Sequence, residues 1–410
     1  MRIKVRGNNL PRIKTTNQFL IREAVYLKSP VSRIEIASDL GLTLPTVTTN
    51  ISTLIEKGLM RELPEPVRTG SLGRRTMLVD VVPDARLFIG VEIRGTLRRS
   101  VVVNLRGKVL ASGADDTFYT DYDLALESAV DITRKMISES GISLDRITAV
   151  GICIPGLVDS HEGVLGVHPG YQWEKKTVCK DFASKLGYSG DVRLENNAIA
   201  RAYGISLFDH GKLKDASTFA YMFVAAGIAC PLLSDVKNRF GTIAGEGEVG
   251  HMVMNPDGPE CICGNHGCLE TYASERIILQ KAEECLKNGS APVLKEIIEA
   301  GNPLDMTSVV ESQKRGDPAI QKIISDAILY LGLAIANIDN FVKPECVVIE
   351  CRLFDNPDNR ESLMKIINNN LYRKTFNDYR FSFLQSDEYS GAKGAAAVAI
   401  KGDIEKNYVD

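Results

Sequence analysis

The chain has 410 residues, of which 44% are hydrophobic and 25% charged, and its formal net charge is −3. This composition excludes a disordered, collagen-like or coiled-coil protein, and at roughly 100–200 residues per domain the length predicts two to four domains. No run reaches the roughly 18 uninterrupted apolar residues of a membrane span. The basic first residues lack the apolar segment of a secretory signal. We therefore expect a cytoplasmic protein without a membrane segment.

The charge is unevenly distributed. Residues 1–80 contain 13 Lys and Arg against 7 Asp and Glu, whereas the remaining residues contain 36 against 45. A basic amino-terminal part on an acidic body favours a nucleic-acid partner for the first part.

The basic part has the pattern of three short helices. The first has an apolar face, and the second begins with a capping box at Ser32 and Glu35 and ends at Gly41. The third is predicted to begin at the N-cap Thr43 and to end near Lys57. The residues predicted to be buried are Phe19, Leu20, Ala24 and Leu27 in the first helix and Val47, Ile51, Leu54 and Ile55 in the third.

Two helices joined by a short turn at Gly41 are typical of a helix-turn-helix, whose second helix enters the major groove of DNA. The strand-like residues 60–63 and 76–82 then predict a two-stranded wing. The predicted DNA contacts are Thr43, Thr46, Thr48, Thr49 and Asn50 on the helix and Arg74 and Arg75 on the wing. The alternative is a three-helix packing module whose polar residues face only solvent.

After Pro83 the pattern changes to alternating strands and helices. Buried strands are predicted at 87–93, 100–105, 147–154, 193–195 and 218–226, and helices at 123–140, 198–208, 271–287, 318–341 and 360–372. This alternation predicts an α/β body with a largely parallel sheet, which binds ligands at the carboxyl ends of its strands.

The strongest chemical pattern is a glycine-rich segment with closely spaced cysteines. His251, Cys261, Cys263 and Cys268 predict a tetrahedral Cys3His site for a structural Zn²⁺, with all four coordination positions filled by protein. His266 is the competing ligand. Glu248 and Glu270 flank the segment, and with His251 they can accept hydrogen bonds from the hydroxyls of a sugar. The alternative is that both glutamates are solvated loop residues.

These motifs resemble those of the ROK family (repressors, open reading frames and sugar kinases), in its transcriptional-regulator branch. The matching segments are 247–252 (GEVGHM), 261–270 (CICGNHGCLE) and 151–156 (GICIPG). The resemblance implies a winged helix-turn-helix followed by an actin-like, two-lobed sugar-kinase (ribonuclease H-like) fold, in homodimers or homotetramers. It also implies that His251 binds both zinc and a sugar hydroxyl, and that Glu248, Glu270 and Asn196 contact the sugar.

The same resemblance sets the domain boundaries that we expect. Residues 1–82 would form the DNA-binding domain, residues 83–195 the small lobe, and residues 196–410 the large lobe with the zinc loop. The last helix, at about 390–403, would pack back on the small lobe.

The chain departs from the family kinases where their chemistry takes place. Asn197 stands where the kinases have the aspartate that acts as general base, and an amide cannot remove a proton. Two glycine-rich phosphate turns are replaced by residues 92–96 (EIRGT) and 225–231 (AAGIACP), and a late glycine pair by Glu350 and Cys351. The sequence therefore predicts that kinase activity is lost, while Asn197 can still hydrogen-bond a sugar.

The sugar site is also altered, because Gly170 stands about where the family has a sugar-contacting Asn. Trp173, three residues later, is either a sugar-stacking residue or part of the core. We expect a DNA-binding regulator of carbohydrate genes, most simply a repressor, that is controlled by a sugar or sugar phosphate. The alternatives are an ATP-dependent sugar kinase with a DNA-binding head, and a zinc-stabilised scaffold that binds another protein.

Overall fold

The computed structural model describes residues 10–63, 77–168, 170–209, 213, 216, 218–234, 245–372, 380–385 and 387–405. The chain forms two compact units. The first comprises residues 1–165, 175–210 and 391–410, and the second comprises residues 166–174 and 211–390. The predicted domain boundaries after residues 82 and 195 stay predictions.

The first unit begins with three helices and a small antiparallel sheet. The strands are ordered β1-β3-β2, which is the arrangement of a winged helix-turn-helix head. The elements are α1 (Leu10–Lys28), β1 (Val31–Ser32), α2 (Arg33–Leu40), α3 (Leu44–Glu56), β2 (Met60–Glu62) and β3 (Leu78–Val81).

Local capping explains where the two helices of the helix-turn-helix begin and end. The Ser32 side chain accepts a hydrogen bond from the Glu35 N–H (3.1 Å), and the Glu35 carboxylate accepts one from the Ser32 N–H (2.8 Å). Gly41 ends α2 in the left-handed region, and Thr43 is the N-cap of α3. The predicted capping box and both helix boundaries are therefore confirmed.

The apolar face predicted for α1 needs correction. Of the four residues predicted to be buried, only Ala24 is fully buried, and Phe19, Leu20 and Leu27 are partly buried. The buried face is instead formed by Ile21, Arg22, Ala24, Val25 and Tyr26. Helical spacing alone does not set the rotation of a helix when apolar residues extend around most of its surface.

The body of the first unit is a five-stranded mixed sheet in the order β11-β7-β4-β5-β6. Strands β4, β7 and β11 are parallel to one another, and β5 and β6 are antiparallel additions at one edge. The strands are β4 (Leu87–Ile93), β5 (Arg98–Asn104), β6 (Val109–Asp115), β7 (Ile147–Ile154) and β11 (Asp191–Asn196), and the helices are α4 (Tyr122–Ser140), α5 (Val178–Leu186) and α6 (Asn197–Phe208). A separate three-stranded sheet consists of β8 (Leu157–Asp159), β9 (Val164–His168) and β10 (Trp173–Lys176). Its strand order is β10-β9-β8.

The last helix of the chain packs directly on this mixed sheet. This helix, α13, spans Ser390–Glu405, and twelve of its residues are buried. Glycines in β4 and β7 allow the close approach, because a Cβ at Gly151 would lie 1.8 Å from the Ala395 carbonyl oxygen and one at Gly90 1.9 Å from the Ala392 carbonyl oxygen. Larger side chains at these two strand positions would push the helix off the sheet.

The second unit has its own sheet, in the order β13-β12-β15-β16, with β14 paired to β12. Its long helix α11 (Pro318–Val342) has the length and apolar composition of a possible membrane span. Half of the most apolar 18 residues of this helix are buried in the protein, and the helix contributes to the core. The strands are β12 (Thr218–Val224), β13 (Ile228–Ala229), β14 (Leu232–Ser234), β15 (Cys346–Glu350) and β16 (Arg380–Leu384). The helices are α7 (Glu270–Ala273), α8 (Glu275–Asn288), α9 (Pro292–Glu299), α10 (Met306–Lys314), α11 (Pro318–Val342) and α12 (Pro357–Asn370).

Candidate functional site

The predicted zinc ligands lie together in the second unit. One ligand atom from each of His251, Cys261, Cys263 and Cys268 lies within 4.8 Å of the other three. The Cys263 and Cys268 Sγ atoms are 3.7 Å apart, and the Cys261 Sγ atom is 3.6 Å from Nδ1 of His251. A tetrahedron with metal–sulfur bonds of about 2.3 Å has edges of about 3.8 Å. The two distances are close to this edge, and the four side chains together could hold a tetrahedral metal ion.

A tight hairpin, closed by backbone hydrogen bonds, brings these cysteines together. Cys261 N–H donates to the Asn265 carbonyl (2.7 Å), and Leu269 N–H donates to the Met252 carbonyl (2.9 Å). Gly267 has φ +66°, and a Cβ there would lie 1.5 Å from the Asn255 carbonyl oxygen. Only glycine fits this position, because any side chain would displace the neighbouring strand of the hairpin.

The competing ligand His266 is outside the cluster. It lies in the exposed turn of the hairpin and pairs with Glu260 in an isolated β-bridge, while His251 supplies the fourth donor. The His251 Nδ1 atom is the one near Cys261, which leaves Nε2 as the ring nitrogen available to another partner.

Of the two flanking glutamates, Glu270 is buried and Glu248 is partly buried, so neither is a fully solvated loop residue. Glu270 is only 5% exposed, and its Oε1 atom is 3.4 Å from a guanidinium nitrogen of Arg276. Burial raises the pKa of Glu248. The nearby His251 lowers this pKa and Glu270 raises it, so the three groups are close enough to interact electrostatically. Two carboxylates and an imidazole thus form one polar cluster beside the hairpin.

Two glycines keep space open at the Glu270 carboxylate. A Cβ at Gly250 would lie 3.2 Å from Oε2 of Glu270, and a Cβ at Gly227 would lie 3.3 Å from the same atom. Arg276 was missed by the sequence reasoning. Arg276 follows Glu270 by six residues, near the start of α8. This short separation is the one feature of the sequence that could have pointed to the pair.

In the first unit, a buried ion-pair cluster lies at the turn predicted to replace the first phosphate loop. Arg201 Nη2 donates to both Glu92 carboxylate oxygens, at 2.8 and 3.1 Å, and Arg94 Nε donates to Oε1 of Glu92 at 2.7 Å. Glu92 is fully buried, and although burial opposes it, the two guanidinium groups hold its pKa below the usual range. Carboxylate and guanidinium side chains thus fill the end of β4.

The comparisons with known proteins agree with these motifs. The family model described as "ROK family" matches residues 88–402. The chain belongs to the ROK family. Among curated relatives, the xylose repressor of Bacillus subtilis (strain 168) is 24% identical over 95% of this chain and 96% of its own length. The DNA-binding transcriptional dual regulator NagC of Escherichia coli (strain K12) is 26% identical over 83% of this chain and 81% of its own.

Solved structures of ROK proteins share the fold. The ROK family transcriptional regulator described as a homologue of the E. coli MLC protein has a TM-score of 0.74 at 23% identity, covering 96% of this chain and 97% of its own. A ROK family glucokinase from Streptomyces griseus has a TM-score of 0.62 at 23% identity, covering 76% of this chain and 99% of its own. Nearly the whole length of this ROK chain is therefore matched by a regulator, and three quarters of it by a kinase.

The two asparagines predicted to contact the sugar lie at the start of α6 in this ROK chain. The Asn196 side chain caps the helix by accepting from the Ala198 N–H (2.8 Å), and its Nδ2 atom donates to the Gly156 carbonyl (3.0 Å). Asn197 follows as the first helical residue and is 9% exposed. The Asn196 amide therefore has a structural role that fixes the position of Asn197.

Glu350, which with Cys351 replaces the late glycine pair, is an internal residue. It is 4% exposed and accepts a hydrogen bond of 2.5 Å from the Tyr221 hydroxyl. Trp173 is also a core residue, because it is 2% exposed and packs in a cluster with His168 and Tyr171. Burial lowers the pKa of His168 to about 4, so this aromatic cluster is uncharged near neutral pH.

The predicted DNA contacts are only partly described. Thr43, Thr48 and Thr49 are exposed on α3 and its N-cap, and Thr46 and Asn50 are partly buried. Arg74 and Arg75 lie outside the described residues. The structure therefore describes helix α3 of the head, while the DNA contacts at the tip of the wing stay a prediction.

Proposed function

We propose that this chain is a DNA-binding transcriptional repressor of carbohydrate-metabolism genes. Residues 1–82 would bind a double-stranded DNA operator, and the protein would act as a homodimer or homotetramer in the cytoplasm, where the chromosome lies. The helix-turn-helix head and the names of the relatives, a xylose repressor and the regulator NagC, support this function. A dimer places two recognition helices one helical turn of DNA, or a multiple of it, apart.

The effector would be a sugar or a sugar phosphate. The observation that carries this proposal is the polar cluster of Glu248, His251 and Glu270 next to the metal-ligand hairpin. Carboxylates accept hydrogen bonds from adjacent hydroxyls, and the Nε2–H of an imidazole whose Nδ1 binds a metal donates one to a hydroxyl oxygen. A sugar presents both kinds of partner. Asn196 and Asn197, in the first unit, stay predicted sugar contacts.

The metal would be a structural Zn²⁺ held by His251, Cys261, Cys263 and Cys268. Three thiolates and one imidazole at tetrahedral separation are the preferred donors of this ion. When bound, it would fix the hairpin and the His251 ring. With four protein ligands, the ion has no open position for a reactive water.

We further propose that the chain does not transfer phosphate. Asn197 lacks the basicity to remove a proton from a sugar hydroxyl. The buried cluster of Glu92, Arg94 and Arg201 supplies a negative charge and bulky side chains where backbone N–H groups would have to approach a phosphate. Both changes act against the same reaction.

Isothermal titration of the zinc-loaded protein with sugars, sugar phosphates and ATP tests this proposal. We expect one sugar or sugar phosphate to bind, ATP not to bind, and Glu270→Gln to weaken sugar binding at least tenfold. Glu283→Gln, an exposed change on α8, is the matched control and should bind like the original chain.

Operator binding is measured on the same preparations. The best ligand should change operator affinity, because an effector acts through its different affinities for the two conformations of a regulator. ATP binding with turnover would instead support the alternative function, an ATP-dependent sugar kinase. Regulation that persists unchanged in Glu248→Ala and Glu270→Ala would instead favour a scaffold that binds another protein.

A further inference from the structure

The recognition helix lacks the side chains that read guanine. Residues 44–56 (LPTVTTNISTLIE) contain no Lys, Arg, His or Gln, and the one charged residue is Glu56 in the last turn. Bidentate recognition of guanine in the major groove depends on Arg or Lys. Helix α3 must therefore distinguish bases by another kind of contact.

The polar side chains of α3 are used largely within the helix itself. Thr49 Oγ1 donates to the Pro45 carbonyl (3.0 Å), and Asn50 Nδ2 donates to the Thr46 carbonyl (2.7 Å). Thr43 and Thr46 share a hydrogen bond of 2.9 Å between their hydroxyls. A threonine that gives its proton to its own helix has only its methyl group and its oxygen lone pairs for a base.

The apolar residue at the start of α3 is exposed. Leu44 is 45% exposed, whereas Val47, Ile51 and Leu54 are buried in the head. Thr48, four residues after Leu44, is also exposed and lies one turn further along the same side of the helix. A leucine isobutyl group and a threonine methyl group are thus presented at the end of the helix that enters the major groove.

We propose that Leu44 and Thr48 read the methyl groups of thymines in the operator half-site. Thymine is the only DNA base that places a methyl group in the major groove, and apolar side chains recognise it by contact. This inference rests on the proposed DNA-binding function. Leu44 then determines specificity, and A·T pairs lie under the first turn of α3.

The test begins with duplexes selected from a random library on the zinc-loaded, full-length protein. In the enriched duplex, each thymine of a half-site is replaced in turn by deoxyuridine, which removes only the methyl group. One or two positions should lose about three- to fourfold in affinity, as expected for the loss of one buried methyl contact. In Leu44→Ala the loss at one of these positions should disappear.

Two further variants separate contact from folding. Thr48→Ser keeps the hydroxyl and removes the methyl group, so it should abolish the uracil effect at the neighbouring position. Leu124→Ala changes a leucine that is 51% exposed on α4 and should leave every uracil effect unchanged. Failure to enrich any duplex would overturn the proposed function, whereas an enriched duplex whose uracil effects are absent, or survive both α3 variants, would overturn only this inference.

Discussion

Arg201 Nη2 contacts both carboxylate oxygens of Glu92, 109 residues earlier in the chain, inside the first unit. Glu92 lies near the carboxyl end of β4. Arg201 lies on the second turn of α6, four residues after Asn197. A Cβ at Gly391, at the start of α13, would lie 2.1 Å from Oε2 of Glu92. One ion pair thus joins a strand to the helix that carries Asn197, and the start of α13 packs closely against its carboxylate.

Removal of Arg201 should destabilise the first unit strongly. In Arg201→Met the Glu92 carboxylate stays buried with one of its two guanidinium partners lost, which costs about 3–5 kcal/mol for a buried pair. Urea unfolding followed by circular dichroism measures the change. Lys135→Met, which removes an exposed partner of Glu139 on α4, is the control and should change stability by less than about 1 kcal/mol. Equal midpoints for the two variants would contradict the structural role of Arg201.

Restoring the missing catalytic carboxylate should not restore phosphoryl transfer. In Asn197→Asp a potential base returns, but the Glu92 carboxylate and the Arg94 and Arg201 side chains still occupy the end of β4. We expect no ADP release above background in a coupled assay with ATP and the sugar that binds best. Sugar-dependent ADP release by this variant would show that the cluster does not block the nucleotide.

Removal of the metal should loosen the hairpin of residues 252–268. Cys268→Ser takes one of four ligands from the site, and we expect metal analysis to show loss of Zn²⁺ together with faster proteolysis of this segment. Cys285→Ser, a change to a partly buried cysteine on α8, should retain one zinc per chain. Full zinc content in Cys268→Ser would show that His266 or another group can replace the thiolate.

Glu195 should make stability depend on pH. Burial raises its pKa to about 7, although the Asn196 N–H, the Ser160 hydroxyl and Lys401 favour the charged form. The unfolded chain loses this proton near pH 4.5 and the folded chain only near pH 7, so the contribution of Glu195 to stability falls as pH rises between these values, by up to about 3 kcal/mol. Lys401, whose pKa is lowered to about 8, acts only at higher pH.

Unfolding midpoints between pH 5 and 7.5 measure this dependence. Glu195→Gln cannot ionise, so its stability should decline less across this range than that of the original chain. Glu139→Gln, an exposed change on α4, should follow the original curve. Parallel curves for Glu195→Gln and the original chain would mean that Glu195 is charged throughout in the folded protein.

The sequence predicted those parts of the protein that depend on local rules. The capping box at Ser32, the cap at Thr43 and the spacing of His251 and the cysteines each depend on residues close together in the chain or on metal-ligand chemistry. The rotation of α1 was predicted wrongly, because it depends on packing against distant elements. The pairing of Glu92 with Arg201 could not be predicted either, since neither residue carries a local signal for its partner.

The head and the body of the first unit are joined by polar contacts that a regulator can use. Arg106, in the turn between β5 and β6, donates to the Ser29 carbonyl (3.2 Å) and hydroxyl (2.7 Å) and pairs with Asp80 of the head. Arg22 of the head donates to the carbonyl of Asp403 in α13 (3.5 Å). Because Arg106 belongs to the body and its partners to the head, it fixes the orientation of the recognition helix relative to the body.

Loss of Arg106 should therefore weaken the effect of the sugar on operator affinity without weakening the binding of the sugar itself. In Arg106→Ala we expect the sugar to bind with unchanged affinity, while the coupling free energy between sugar and operator falls by about half from the 1–3 kcal/mol typical of such regulators. Titrations of operator DNA with and without the sugar measure this quantity. Lys108→Ala, an exposed change in the same turn, is the control and should retain the full response. An Arg106→Ala protein with undiminished coupling would mean that the signal reaches the head by another route. The hydrogen bond of Arg22 with Asp403 would then be the next to test.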